Sequence, residues 1–166
     1  VNIKPIYRRS TLGNFYVYDI ASKSLQLIDK DKIQEPTFSP DSKKIAYAKN
    51  NNIYIKNLET NTTTQITFDG KKNNIINGIC DWVYEEEFEF VRAFKWSNDS
   101  KNIAYLRFDE SEVPTFSMDI YGKTLYPTQQ VFKYPKAGEK NSVVTLNLYN
   151  VSKQKSTKIN LGNYEY

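Results

Sequence analysis

Three consecutive glutamates, Glu85, Glu86 and Glu87, are the side chains in this sequence whose types and spacing best suit a chemical role. Adjacent carboxylates repel one another, so a protein that holds them together favours a compensating cation, such as Lys, Arg, a metal ion or a ligand ammonium. The aromatic residues that flank the triplet are Trp82, Tyr84, Phe88 and Phe90. Because buried aromatic rings can anchor an otherwise mobile acidic loop, the triplet is a candidate binding site.

Two simpler explanations of the triplet remain open. A run of glutamates is usually a solvated surface segment that needs no partner. Calcium prefers clustered oxygen ligands, but the sequence has no Asp-x-Asp-x-Asp-Gly spacing, and three adjacent side chains do not all face one ion. We therefore expect no metal site.

The absence of histidine excludes several kinds of catalytic site. None of the 166 residues is His, and Cys80 is the single cysteine. Ser-His-Asp and Cys-His sites need an imidazole to move a proton, and zinc sites usually need His or several Cys. We predict no catalytic residue and no cofactor in this chain, and we expect Cys80 to be a small buried side chain rather than a nucleophile.

Charge and hydropathy limit the partners of the chain. Its formal net charge is +4 with a pI near 8.9, and its lysines are scattered singly and in pairs, so no nucleic-acid partner is expected. No run of about 18 apolar residues is present, which predicts no membrane span. Residues 1–10 lack the apolar stretch of a signal peptide, so we expect any export signal to lie upstream or to have been removed.

An internal repeat indicates the fold. Residues 38–47 align with residues 96–105 at seven of ten identical positions, with Phe38 opposite Trp96. Each copy combines an aromatic residue, a turn of Ser, Pro or Asn, and Asp, and then the strand pattern Lys-x-Ile-Ala-Tyr. A repeated unit of this kind favours stacked equivalent blades over a β-sandwich, which remains the alternative.

A second pattern extends each copy into a larger unit. Alternating segments at 16–20, 53–58 and 146–151 are each followed, after a polar turn, by a short strand at 24–28, 63–67 and 156–161. Antiparallel four-stranded units repeating about every 40 to 50 residues are typical of a β-propeller. We therefore predict an all-β chain that forms part of a β-propeller.

The length sets the domain organisation. We predict blade-like units at about 1–35, 36–72 and 91–166, with a short helical or looped insertion at 73–90 that carries the glutamates. A closed propeller needs at least four blades, so residues 1–166 are predicted to be a fragment of a larger ring. Because unpaired strand edges tend to associate, we expect a homo-oligomer.

At this point the residues resemble a known family. Residues 81–88, Asp-Trp-Val-Tyr-Glu-Glu-Glu-Phe, resemble the glutamate motif in the propeller domain of the dipeptidyl-peptidase IV family of serine exopeptidases. Further similar segments lie at 7–10, 16–19, 108–114, 125–127 and 134–138. The resemblance covers nearly the whole chain in order.

The resemblance implies roles for three residues. In the family, the second and third glutamates of the motif bind the free α-ammonium of the substrate, which assigns that role to Glu86 and Glu87. A family arginine that contacts a substrate carbonyl matches Arg8, although Arg9 follows it directly. Glu85 matches the glutamate that makes no substrate contact. The implied activity is release of N-terminal Xaa-Pro or Xaa-Ala dipeptides.

The catalytic half of the family is missing from this sequence. The chain has no Gly-x-Ser-x-Gly motif and no His, so the α/β-hydrolase domain is absent and the chain should be inactive alone. The implied partners are peptides with a free N-terminus and the rest of the parent chain. The alternatives are a non-catalytic propeller module for protein interaction and an inactive family relative. The composition and the family suggest export to the periplasm or cell surface of a bacterium.

Overall fold

A computed structural model describes residues 2–162, and strands dominate it. Among these residues there are fifteen strands and one helix. They are β1 Ile3–Pro5, β2 Thr11–Gly13, β3 Tyr16–Asp19, β4 Ser24–Leu27, β5 Gln34–Phe38, β6 Lys44–Lys49, β7 Asn52–Asn57, β8 Thr63–Gln65, β9 Ile75–Asn77, α1 Trp82–Phe88, β10 Phe94–Trp96, β11 Asn102–Asp109, β12 Thr115–Ile120, β13 Thr128–Lys133, β14 Val143–Asn150 and β15 Lys155–Lys158. The sheets are antiparallel and, within this part of the chain, do not close into a ring. The prediction of an all-β, partial propeller is confirmed.

One sheet contains the first copy of the repeat. Strands β5, β6, β7 and β8 pair in chain order, with Tyr47 opposite Tyr54 in the register of β6 and β7. Side chains on both faces of β6 are buried, since Ile45, Ala46, Tyr47 and Ala48 are each no more than 1% exposed. A strand that is buried on both faces must be covered on both sides, so this sheet lies inside a stack.

A second sheet contains the other copy. Its order is β10, β11, β14 and β15, and β9 pairs with the far end of β11. Strands β12 and β13 form a separate hairpin that the repeat pattern does not predict. The division into units at 1–35, 36–72 and 91–166 with an insertion at 73–90 stays a prediction.

The two sheets share a core. Buried side chains from both copies form one cluster: Ala46, Ile53, Ile55, Ile66, Phe94, Trp96, Ile103, Tyr105 and Tyr149. Equivalent positions are not equally buried, because Trp96 is 6% exposed and Phe38 is 52% exposed. Position in the stack therefore decides which copy of the repeat contributes its aromatic residue to this core.

The turns of the two repeats have the same hydrogen bonds. Ser39 Oγ donates to Asp41 in the first copy, and Ser97 Oγ donates to Asp99 in the second. Each aspartate also accepts the backbone N–H two residues later. The turns touch each other, since the Asp41 N–H donates to Ser100 Oγ over 3.0 Å. Local turn chemistry thus repeats, and one contact joins the copies.

Helix α1 lies between β9 and β10. Asp81 begins it as N-cap, because its carboxylate accepts the backbone N–H of Tyr84 at 2.9 Å. Glu89 ends it in the left-handed region, with φ of 61°. The Tyr84 ring packs edge-on against Phe108 of β11, with ring centroids 5.0 Å apart. The helix is therefore capped and attached to the second sheet.

Candidate functional site

The side chains of the three glutamates point in different directions from helix α1. Successive helical residues project about 100° apart, so neighbours on the chain do not share a face. Glu85 points into the protein and is 1% exposed, Glu86 is half-buried and Glu87 is exposed. Three identical adjacent residues therefore have three different environments.

Glu85 binds the backbone of a distant segment. Its Oε1 accepts the N–H of Arg9 at 2.7 Å and the N–H of Ser10 at 2.9 Å. Two charge-assisted hydrogen bonds offset part of the cost of burying this carboxylate. The bonds attach the turn after β1 to the side of α1.

Arg8 meets Glu86 beside that attachment. The guanidinium Nε lies 2.7 Å from Glu86 Oε2. The Arg8 side chain is 70% exposed and the Glu86 side chain is 16% exposed, so the pair lies at the protein surface with the carboxylate against the helix. Two of the three predicted site residues are thus brought into contact although they are far apart in sequence.

Glu87 lies on the other side of Glu86 along the same turn of helix. It lines a shallow cleft of about 260 Å³ together with Trp82 and the loop that contains Tyr134 and Lys136. The cleft leaves room for a small group beside the carboxylate. Glu86 and Glu87 each have two carboxylate oxygens, and Oε2 of Glu86 accepts from Arg8.

Arg9 has different partners from Arg8. Its Nη2 lies 2.9 Å from Glu89 Oε1, just beyond the helix, and its backbone N–H goes to Glu85. Of the two adjacent arginines, Arg8 is the one whose side chain lies against Glu86. The two ion pairs and the backbone bonds together join the turn to α1 at Glu85, at Glu86 and at the C-cap Glu89.

Aromatic side chains pack between helix α1 and the turn that contains Arg8. The Trp82 ring lies 4.8 Å from Tyr134 and 5.9 Å from Phe132, and Tyr7 lies 6.0 Å from Phe132, measured between ring centroids. Burial and the nearby Glu110 carboxylate raise the pKa of Tyr7 to about 12. The rings therefore connect the start of α1, the turn that contains Arg8 and strand β13.

Comparison with known proteins identifies the family. A sequence model described as the dipeptidyl peptidase IV (DPP IV) N-terminal region matches residues 1–165. The chain belongs to the dipeptidyl peptidase IV family. "Probable dipeptidyl-aminopeptidase B" of Talaromyces stipitatus is 38% identical over 171 residues, which cover 93% of this chain and 19% of that protein. The protein of the same name from Trichophyton verrucosum is 38% identical over 174 residues, covering 95% and 19%.

A solved structure of a family member agrees in backbone. The crystal structure of Porphyromonas gingivalis dipeptidyl peptidase 4 matches with a TM-score of 0.94 and 41% identity. The match covers 98% of this chain and 24% of that one. The chain therefore spans about a fifth to a quarter of the length of the dipeptidyl peptidase relatives that it matches, and it corresponds to the N-terminal region of the family.

The site of this DPP IV family chain also contains buried groups that sequence reasoning missed. A cavity of about 350 Å³ behind α1 is lined by Tyr7, Asp81, Glu85, Glu110 and Lys133 among others. Burial and the nearby Asp81 carboxylate raise the pKa of Glu110 to about 7. Nothing in the sequence around Glu110 signals its burial, since burial depends on the packing of β13 and the Tyr7 turn.

Cys80 directly precedes the N-cap of α1. Cys80 is buried, its thiol donates to the Phe90 carbonyl at 2.9 Å, and burial raises its pKa. Among residues 2–162, no cluster of His, Cys, Asp and Glu is arranged to hold a metal ion. The same part of the chain contains no helix with the length and apolarity that a bilayer crossing requires. The polar groups at the surface of α1 therefore include the carboxylates of Glu86 and Glu87 and the guanidinium of Arg8.

Proposed function

We propose that this region is the substrate-recognition and gating part of a serine dipeptidyl peptidase, in which Glu86 and Glu87 bind the α-ammonium of a peptide and Arg8 binds a backbone carbonyl next to it. The observation that carries the proposal is the 2.7 Å contact between Arg8 and Glu86 beside the exposed Glu87. Arg8 and Glu86 form an ion pair at the surface, and Glu87, the next residue, lines an open cleft, which together support the proposal.

The chemistry of a peptide N-terminus fits these groups. An α-ammonium has one positive charge and three N–H donors, and each charge-assisted hydrogen bond to a carboxylate contributes roughly 1.5 to 3 kcal/mol. Arg8 engages Oε2 of Glu86, and under this proposal the second oxygen of that carboxylate accepts from the ammonium. The carboxylate of Glu87 accepts a second hydrogen bond from the ammonium.

Binding the N-terminus at one point limits where the peptide is cut. A nucleophile at a set distance from the carboxylates reaches the second peptide bond and no internal bond. The products are then N-terminal dipeptides, and the resemblance to the family implies that their second residue is Pro or Ala. The nucleophile belongs to the parent protein outside this chain, which contains no His and no Gly-x-Ser-x-Gly motif.

The test uses the parent protein and a Gly-Pro chromogenic amide, with and without an N-acetyl group. We expect cleavage of the free-amine substrate only, and a loss of about 100-fold or more in kcat/KM for Glu86→Gln and for Glu87→Gln. Glu59→Gln is the matched control, because Glu59 is exposed, pairs with Lys43 and lies far from Glu86 and Glu87 in the sequence. It should retain the activity of the wild type.

Other outcomes favour the alternatives. A parent protein that cleaves neither substrate supports an inactive relative. A parent protein whose activity survives both substitutions shows that the triplet is a surface feature, and then a propeller module that binds protein partners is the better explanation of this face.

We infer that the parent protein is exported to the periplasm or cell surface and is a homo-oligomer. Strand β15 is bonded on one side within the described residues, and its side chains are exposed, which supports association at this edge or coverage by later blades. Cell fractionation tests the location. Light scattering tests the association, and a monodisperse monomer would contradict it.

A further inference from the structure

Glu85 is the glutamate of the triplet that has no place in the proposed ammonium site, and yet it is the most buried. It is 1% exposed, at the centre of α1. Burying a carboxylate is costly unless its oxygens are hydrogen-bonded. Its two bonds go to the backbone of Arg9 and Ser10, so its partners are neighbours of Arg8.

The adjacent residues Glu85 and Glu86 contact adjacent residues of the turn. Glu86 binds the side chain of Arg8, and Glu85 binds the backbone N–H groups of the next two residues. The Arg8 side chain is 70% exposed and long, so packing restricts its position little. The position of its backbone is therefore what determines whether the guanidinium reaches Glu86.

The turn that contains Arg8 is closed by the same residue that Glu85 binds. The Ile6 N–H donates to the Ser10 carbonyl at 2.9 Å, and the Tyr7 N–H donates to Ser10 Oγ at 3.2 Å. Ser10 itself is 4% exposed. Because Arg8 lies inside this closed turn, the bond from Ser10 to Glu85 fixes the turn as a unit against α1.

We propose that Glu85 is a positioning residue for substrate binding, whose carboxylate holds the backbone of Arg9 and Ser10 so that Arg8 meets Glu86 and the substrate carbonyl. This rests on the function proposed above. Glu85 touches no substrate, and its effect passes through Arg8. Loss of its acceptor oxygen should therefore weaken binding of the substrate more than it slows the chemical step.

The experiment measures kcat and KM of the parent enzyme with a Gly-Pro chromogenic amide. We expect Glu85→Ala to raise KM about 10-fold and to change kcat less than about 2-fold. Glu85→Gln retains a neutral acceptor oxygen and should raise KM about 3-fold. Glu112→Gln, an exposed glutamate that pairs with Lys140, is the control and should match the wild type.

A double-mutant cycle with Arg8→Ala separates positioning from general support of the fold. If Glu85 acts through Arg8, Glu85→Ala raises KM less than about 2-fold in the Arg8→Ala background. An equal factor in both backgrounds, or a wild-type KM for Glu85→Ala, overturns the proposal. If Glu85→Ala does not fold, Glu85→Gln replaces it, and the same two outcomes apply with a 3-fold rise.

Variants of Arg8 and Glu86 distinguish a failure of this proposal from a failure of the function on which it rests. If Arg8→Ala and Glu86→Gln leave KM unchanged, the proposed function fails and the positioning role fails with it. If those two variants weaken binding while both Glu85 variants keep the wild-type KM, the proposed function stands and the positioning role alone is wrong.

Discussion

The guanidinium Nε of Arg8 lies 2.7 Å from Oε2 of Glu86, although 78 positions separate the two residues. Arg8 is mostly exposed, and an exposed ion pair contributes about 0 to 1 kcal/mol to stability. Under the proposed function, the pair orients Arg8 and Glu86 for a ligand rather than stabilising the fold. Stability and binding should therefore respond differently when it is removed.

Arg8→Gln should leave the free energy of unfolding within about 1 kcal/mol of the wild type, because the lost pair is largely solvated. The same variant should weaken binding of a free-amine peptide about 10-fold or more. Thermal unfolding and KM measure the two effects. Lys43→Gln, which removes another exposed pair, is the control and should change neither. A loss of stability above about 2 kcal/mol for Arg8→Gln would contradict a binding role.

Ser100→Ala should destabilise the contact between the two repeat turns by about 1 to 2 kcal/mol, since it leaves the Asp41 N–H without its acceptor. Ser42→Ala is a closely matched control. Ser42 occupies the same turn position in the other copy, with φ of 58° against 60° for Ser100, but it is exposed. Any backbone strain is then common to both variants. Amide hydrogen exchange of Asp41 should accelerate in Ser100→Ala and remain unchanged in Ser42→Ala.

Glu110→Gln should stabilise the protein at neutral pH and have less effect near pH 4.5. Burial and the Asp81 and Asp109 carboxylates raise the pKa of Glu110 to about 7, while Lys133 lowers it and Tyr7 is also nearby. Between pH 4.5 and 7 the folded protein retains a proton that the unfolded chain releases, so stability falls as the pH rises.

The gain from Glu110→Gln should grow across that interval to at most about 3 kcal/mol, at about 1.4 kcal/mol per pKa unit. Thermal unfolding of both proteins at several pH values measures it. Glu112→Gln is the control, because Glu112 is exposed and should show no such trend. A difference between Glu110→Gln and wild type that does not vary with pH would be contrary to this prediction.

Cys80 should react with thiol reagents at pH 8 at least about 100-fold more slowly in the native protein than in denaturant. The thiol is buried, and burial together with the Glu85 and Asp81 carboxylates raises its pKa, which suppresses the reactive thiolate. Kinetics of labelling with a chromogenic disulfide measure the ratio. Rapid labelling of the native protein would show that the segment between β9 and α1 opens readily.

Much of the fold was predictable because its signals are local. The turn bonds of Ser39 with Asp41 and of Ser97 with Asp99 lie within two residues, so sequence identity implies the same turn. Strand alternation is similarly local. The hairpin of β12 and β13 was not predicted, because it lies outside the repeat pattern and its strands are largely exposed, although Phe116, Met118 and Ile120 alternate with polar residues in β12.

Some features of the candidate site were likewise predictable from the sequence, and others depended on the tertiary structure. The sequence alone determined an all-β chain with a repeated turn, and the resemblance of residues 81–88 to a known motif singled out Glu86, Glu87 and Arg8. The same resemblance assigned Glu85 no contact with the substrate. Only the tertiary structure distinguished the three glutamates, because the face of α1 that is buried depends on where the Arg9 and Ser10 backbone packs against it. Burial of Glu110 has the same origin, since contacts between segments distant in sequence decide which carboxylates lose their water.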